Sequence, residues 1–141
     1  MALKVFVDSD VVISSLISST GAAFLLLNQT TDIELCISNK SKEELEKVVD
    51  RLDLSSIELK QLIQTRVTTI HLEKTLEEIK KEFADHVLDI DDAHIVAGAK
   101  KAKVNFLISY KTKHFKADKI KDDFNIILTT PSNLLQYLRS I

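Results

Sequence analysis

The chain has two glycines, one proline, one cysteine and no tryptophan in 141 residues. So little glycine and proline excludes collagen-like, linker-rich and low-complexity organisation and implies short connections between long helices. The lone cysteine, Cys36, excludes an intrachain disulfide, and its place in the apolar run "IELCIS" fits a buried thiol in a reducing compartment. No apolar run reaches the roughly eighteen residues of a membrane span, and the N-terminus lacks a signal-peptide layout, so the expected location is cytoplasmic. Also missing are a G-x-x-x-x-G-K-[ST] loop, a G-x-G-x-x-G turn and a G-x-S-x-G elbow, which removes nucleotide-loop and serine-hydrolase chemistry. The four histidines (71, 86, 94 and 114) show no paired spacing, which argues against zinc.

What is present is an ordinary globular balance, 45% hydrophobic and 28% charged, enough for one domain over residues 1–141. "LKVFV" reads as a buried strand ending at a polar turn, "DIELCIS" as a second, "TTIHL" as a short third, and "NFLIS" and "FNIILTT" as two more. Between them fall helical patterns at 10–17, 21–28, "SKEELEKVVDRL", 55–65, "EKTLEEIKKEFADHV" and "DDAHIVAGAKKAKV". "PSNLLQYLRSI" closes the chain with Pro131 in its first turn. Gly98 costs its helix about 1 kcal/mol relative to alanine, which points to a close approach to the sheet. Strands alternating with helices predict an α/β fold with a mostly parallel sheet, whose ligands bind beyond the carboxyl ends of the strands. Asp8, Ser38 and Ser109 all fall there.

The acids have two readings each. Asp8 ends the first strand, as a cation ligand or as the cap of the following helix. Glu44 lies in "NKSKEELEKVV", where Ser41-x-x-Glu44 has the form of a capping box. "LDIDDAHI" packs Asp89, Asp91 and Asp92 before an apolar helix; the helix dipole accounts for one or two of them. A third is harder to explain, because clustered carboxylates repel unless they share a cation. Carboxylates without cysteine or paired histidine suit a hard ion such as Mg²⁺ or Mn²⁺. From Lys100 to Lys121 there are eight lysines and His114 against one acid, Asp118, either a solvated surface or a steering patch for a phosphate backbone.

In order and distance, "VFVDSDVVISSL", "ISNKSKEELEKVV", "DIDDAHIVAGAKKAKVNFLIS", "KHF" and "ILTTPSNLLQYL" resemble the PIN-domain family of metal-dependent ribonucleases, which includes the VapC-type toxins. The resemblance covers nearly the whole chain. It implies a three-layer α/β/α sandwich with a mostly parallel central sheet, frequently homodimeric, cutting single-stranded RNA with Mg²⁺ or Mn²⁺. The family's acids fall on Asp8, Glu44 and Asp92, with Asp89 a further acid often seen there. These imply the catalytic trio and metal ligands, with Ser9 and Ser109 as orienting hydroxyls. Asp10 stands where asparagine is usual and is expected to open the next helix. Lys100, Lys101, Lys113, His114 and Lys116 would hold the RNA backbone, and a cognate antitoxin is the implied protein partner.

One position departs from the pattern. The fourth core strand commonly ends in Thr/Ser-x-Asp/Asn, and here the residues are Ser109-Tyr110-Lys111. The lysine either weakens a second metal position, carries part of the metal's charge role toward a phosphate, or marks a degraded site. Two rivals follow. "VFVDSDVV" also fits the D-x-D-x-[VT] opening of haloacid-dehalogenase-like phosphatases, with Ser38, Lys80 or Lys81, and Asp91-Asp92 in that family's motif order. The other rival is a non-catalytic PIN-like module binding RNA or protein.

Overall fold

The computed structural model describes residues 3–141. Its centre is a five-stranded, wholly parallel sheet in the order β3-β2-β1-β4-β5. The strands are β1 (Leu3–Val7), β2 (Ile33–Ser38), β3 (Val67–Ile70), β4 (Phe106–Ile108) and β5 (Ile127–Thr129). The three inner strands alternate strictly. Val5, Val7, Leu35, Ile37, Phe106 and Ile108 face one layer, while Phe6, Cys36 and Leu107 face the other. Both faces are therefore apolar, as a parallel sheet covered on both sides requires.

Five helices share the first core: α1 (Ser9–Ile17), α2 (Ala22–Asn28), α3 (Asn39–Arg51), α4 (Ser56–Thr65) and α8 (Pro131–Ser140). On the opposite face lie α5 (Leu76–Phe83), α6 (Ala93–Ala102) and α7 (Ala117–Phe124). The architecture is thus the expected α/β/α sandwich. α6 is buried along most of its length, which its small side chains permit. A Cβ at residue 98 would stand 2.5 Å from Phe6 Cζ, so glycine is what lets α6 lie against β1. Gly21 is the N-cap of α2, and Pro131 opens α8 behind the Thr130 cap.

Three sequence expectations change in detail. The acids at 90–92 form a 3₁₀ turn, and α6 begins only at Ala93. The helix of "EKTLEEIKKEFADHV" stops at Phe83 and tightens into a 3₁₀ turn over Ala84–His86. α7 was not anticipated: "ADKIKDDF" carries only Ile120 and Phe124 as large apolar residues, one helical turn apart, and Asn125 in the left-handed region ends it.

Candidate active site

The chain runs outward from β1 to β2 and β3 through helices on one face, then returns to β4 and β5 through helices on the other. The connections leaving β1 and β4 therefore diverge and leave a crevice beyond their carboxyl ends. Asp8 is the first residue past β1 and Ser109 the first past β4. The two serve each other: the Ser109 hydroxyl donates to Asp8 Oδ2 at 2.8 Å, and the Ser9 backbone N–H donates to Asp8 Oδ1 at 2.7 Å. The cap reading of Asp8 is realised, and the same carboxylate lies beside Ser109 at the strand ends. It is 1% exposed. Burial foremost, and the charge of Asp10 next, push its pKa up to about 7, against the pull of Lys111 and Ser109.

Asp10 does lie in the first turn of α1, and its carboxylate also joins the site. Its Oδ2 accepts from the Tyr110 N–H at 3.0 Å and lies 3.5 Å from Ser109 Oγ. Burial raises its pKa as well. The chain thus ties the end of β4 to the start of α1 through two adjacent carboxylates.

Glu44 is not the partner of a capping box. Ser38 is the N-cap of α3, accepting from the Ser41 N–H at 3.1 Å, so Ser41 already lies inside the helix. The Glu44 carboxylate instead meets His94 of α6, with Nε2 to Oε2 3.1 Å. That hydrogen bond, outweighing burial, holds the Glu44 pKa below the usual carboxylate range. Helices from opposite faces of the sheet thereby meet above its carboxyl edge.

Asp92, 6% exposed, ends the 3₁₀ turn with both oxygens engaged. Its Oδ1 is 3.3 Å from Lys111 Nζ and its Oδ2 3.1 Å from His114 Nδ1. Asp89 Oδ2 lies 3.7 Å from the same imidazole nitrogen. Asp89, Asp92 and His114 present ligand atoms within 4.8 Å of one another, a geometry able to hold a metal ion. Lys111 is anchored by its own N–H, which donates to Ser109 Oγ at 2.9 Å. Burial opposes its charge, but Asp8, Asp92 and Asp10 outweigh that and hold its pKa above the usual lysine value.

The donor set fits a hard divalent cation. Among the described residues four buried side-chain polar atoms lack a hydrogen-bond partner, and three of them, Ser9 Oγ, Asp10 Oδ1 and His94 Nδ1, belong to residues of this crevice. Asp8 and Asp92, buried within range of each other's charge, carry a penalty that a divalent ion offsets.

Direct contacts link Asp8 to Ser9 and Ser109, Ser109 to Lys111, Lys111 and His114 to Asp92, and His114 to Asp89. Glu44 lies within the field of Lys111 and bonds to His94. The structure does not bring Lys100 and Lys101 there. They stand at the far end of α6 from Asp92, Lys100 over the Phe83 and Phe124 rings and Lys101 against the His71 carbonyl. Lys113 and Lys116 are exposed, in and just after the 3₁₀ turn Thr112–His114. Sequence reasoning missed His94 and a groove of about 350 Å³ beside Glu44, lined by Lys40, Lys47, Leu76, Lys80, Ile90 and His94 among others. The signal for the groove was the spacing of Lys40, Glu44 and Lys47, which places all three on one helical face.

The fold is a wholly parallel α/β/α sandwich with carboxylates from several segments beyond the carboxyl ends of its strands. A family model described as PIN domain matches residues 4–113. The chain belongs to the PIN-domain family, which sets the phosphatase reading aside. No curated protein matches it in sequence. Among solved structures it is similar to a toxin–antitoxin complex from Klebsiella pneumoniae (TM-score 0.60, 19% identity, covering 90% of this chain and 97% of that one). It also resembles FitAcB from Neisseria gonorrhoeae (TM-score 0.57, 14% identity, 90% and 97% covered). A third is VapC20 of Mycobacterium tuberculosis, a sarcin-ricin loop cleaving toxin (TM-score 0.54, 19% identity, 85% and 95% covered). At these identities the likeness is one of fold.

Proposed function

We propose that the protein is an Mg²⁺- or Mn²⁺-dependent endoribonuclease that hydrolyses phosphodiesters of single-stranded RNA, acting as the toxin of a toxin–antitoxin pair. The observation that carries this reading is that Asp8 and Asp92 feel one another's charge at the strand ends, that Glu44 feels the same Lys111, and that Asp89, Asp92 and His114 present ligand atoms within 4.8 Å of one another. Asp8, Glu44, Asp92 and Asp89 are the residues to hold the ion, directly or through water. A divalent ion bound there supplies a water of lowered pKa and stabilises charge on the phosphate.

The remaining roles fall to the chain itself. Ser109 fixes Asp8 in one orientation, and His94 fixes Glu44. Ser9, buried with a free hydroxyl oxygen, orients water or carboxylate. Lys40 and Lys47 in the groove beside Glu44 attract the RNA backbone, with Lys113, His114 and Lys116 on the other flank. Lys100 and Lys101 serve that purpose only for an RNA long enough to run down α6. The toxin role and a cognate antitoxin draw support from the family and from the toxin–antitoxin complexes that share the fold, and a homodimer is proposed from the family resemblance alone.

The test is Mn²⁺-dependent cleavage of single-stranded RNA by wild type and Asp92→Asn. Loss of about a hundredfold or more in the variant is expected; equal cleavage assigns the activity to a contaminant. The second reading, a non-catalytic RNA- or protein-binding module, is favoured by one observation, the Lys111 ammonium on Asp92. Calorimetric titration of Mn²⁺ into wild type and Asp8→Asn decides it, because heat in neither leaves only the binding module.

A further inference from the structure

We propose that the Lys111 ammonium is the site's built-in second cation, which limits the protein to one divalent ion per chain and contacts the phosphate of the bound RNA. The inference rests on the metal-dependent nuclease reading and adds to it. Its basis is the unequal condition of the two sides of the crevice.

On the Asp92 side, both carboxylate oxygens are already engaged by this chain, one by Lys111 Nζ at 3.3 Å and one by His114 Nδ1 at 3.1 Å. On the Asp8 side, both Asp8 oxygens accept only from neutral groups, the Ser9 N–H and the Ser109 hydroxyl, and Asp10 Oδ1 is buried without a partner. The carboxylate oxygens without a cationic hydrogen-bond partner thus lie at Asp8 and Asp10, and the ammonium's hydrogen bond lies on Asp92. A second divalent ion, held through Asp92 Oδ2 with Asp89 and His114, would face the ammonium bonded to Oδ1 of the same carboxylate, and like charges that close repel strongly.

The ammonium is held in place from its backbone upward. Ser109 Oγ accepts the Lys111 N–H while its proton goes to Asp8, so the start of the side chain is fixed to the residue that closes β4. An ammonium carries three donors, and one hydrogen bond to Asp92 leaves two. The side chain is 40% exposed, against 9% for that of Asp92, so the remaining donors are open to a ligand entering the crevice. A non-bridging phosphate oxygen is the acceptor such a group takes most readily. Lysine therefore does at this position what a second ion does elsewhere: it offers fixed positive charge to the phosphate without a second coordination shell.

The experiment is the stoichiometry of Mn²⁺ binding, by calorimetry and by loss of the free-ion electron paramagnetic resonance signal. It compares wild type, Lys111→Arg and Lys111→Asp. One ion per chain is expected for wild type and Lys111→Arg, and two for Lys111→Asp. Two ions on wild type, or one on Lys111→Asp, overturns the proposal and leaves the nuclease reading standing. No ion on wild type overturns the nuclease reading itself. Lys111→Ala supplies the second measurement: it should bind Mn²⁺ at least as tightly as wild type while kcat on RNA falls about a hundredfold, with partial recovery in Lys111→Arg. A kcat for Lys111→Ala within about threefold of wild type removes the phosphate contact.

Discussion

Replacing Asp8 by asparagine should make the metal-free protein more stable at pH 8, although it removes a residue of the proposed catalytic trio. The substitution keeps the hydrogen bonds. Asparagine Oδ1 accepts the Ser9 N–H, its amide donates to Ser109 Oγ, and the Ser109 proton is released toward Asp10. What changes is charge. Burial and Asp10 push the Asp8 pKa from 3.8 to about 7, so the folded protein holds this proton more tightly than the unfolded chain does. A raised folded-state pKa gives stability that is full below the unfolded value and lost as pH rises through the folded one. At about 1.4 kcal/mol per pKa unit, the loss between pH 4 and pH 7 has an upper bound of roughly 4 kcal/mol. Relaxation of the site and coupling to Lys111 bring the expected gain for Asp8→Asn at pH 8 to about 2–4 kcal/mol, or roughly 5–15 °C in Tm for a chain of this size. The assay is thermal denaturation of both proteins in excess chelator from pH 5 to pH 8.5. The difference between the two curves isolates residue 8 from all other titrations. It should widen from pH 5 to about pH 7 and then level. Parallel curves, or a wild type more stable at pH 8, would refute the reasoning. Adding Mn²⁺ should reverse the order by stabilising only the wild type.

Three further outcomes follow from the packing and the groove. Gly98→Ala forces a Cβ to within 2.5 Å of Phe6 Cζ; overpacking of about 1–3 kcal/mol should exceed the roughly 1 kcal/mol of helix propensity gained, giving an earlier urea midpoint that Phe6→Leu partly restores. Asn39→Ala removes both side-chain hydrogen bonds to the Leu72 backbone and should cost about 1–3 kcal/mol in urea unfolding, leaving the sheet order unchanged. Lys47→Glu should weaken binding of a single-stranded RNA and lower the salt slope of that binding by about one, with no shift in Tm; an unchanged slope would take Lys47 off the RNA path.

The strand pattern and most helices were legible because period-two and period-3.6 hydrophobicity are local properties. Val5, Phe6 and Val7 announce a two-sided strand, and Leu45, Val48, Val49 and Leu52 announce one helical face. α7 escaped because two apolar residues among eight form no visible stripe, and its place is fixed by Ile120 packing into a core laid down by other segments. Asp8, Glu44, Asp92 and Ser109 were legible as strand-end and helix-start residues and by their resemblance to a family. The partners that give them their properties were not. Nothing near Glu44 in sequence points to His94, and the local capping-box pattern at Ser41 pointed the wrong way because Ser38 reaches the cap first. The tie from Asp10 to Tyr110 was not legible, since it spans a hundred positions.

The distance along the chain between site partners also sets when the site comes into being. Asp8 and Ser109 are 101 positions apart and meet only when β4 closes against β1, and Glu44 and His94 are 50 apart and meet only when α6 docks on the sheet. β2 and β3 can pair beside β1 earlier, because their connections precede the segment that supplies α6 and β4. A chain emerging from the ribosome in sequence order therefore carries scattered, hydrated acids until residues 106–114 are free to fold. Whatever reaction the crevice performs, its full set of residues exists only once residues 106–114 have been made, and the nascent protein passes most of its synthesis with that chemistry unassembled.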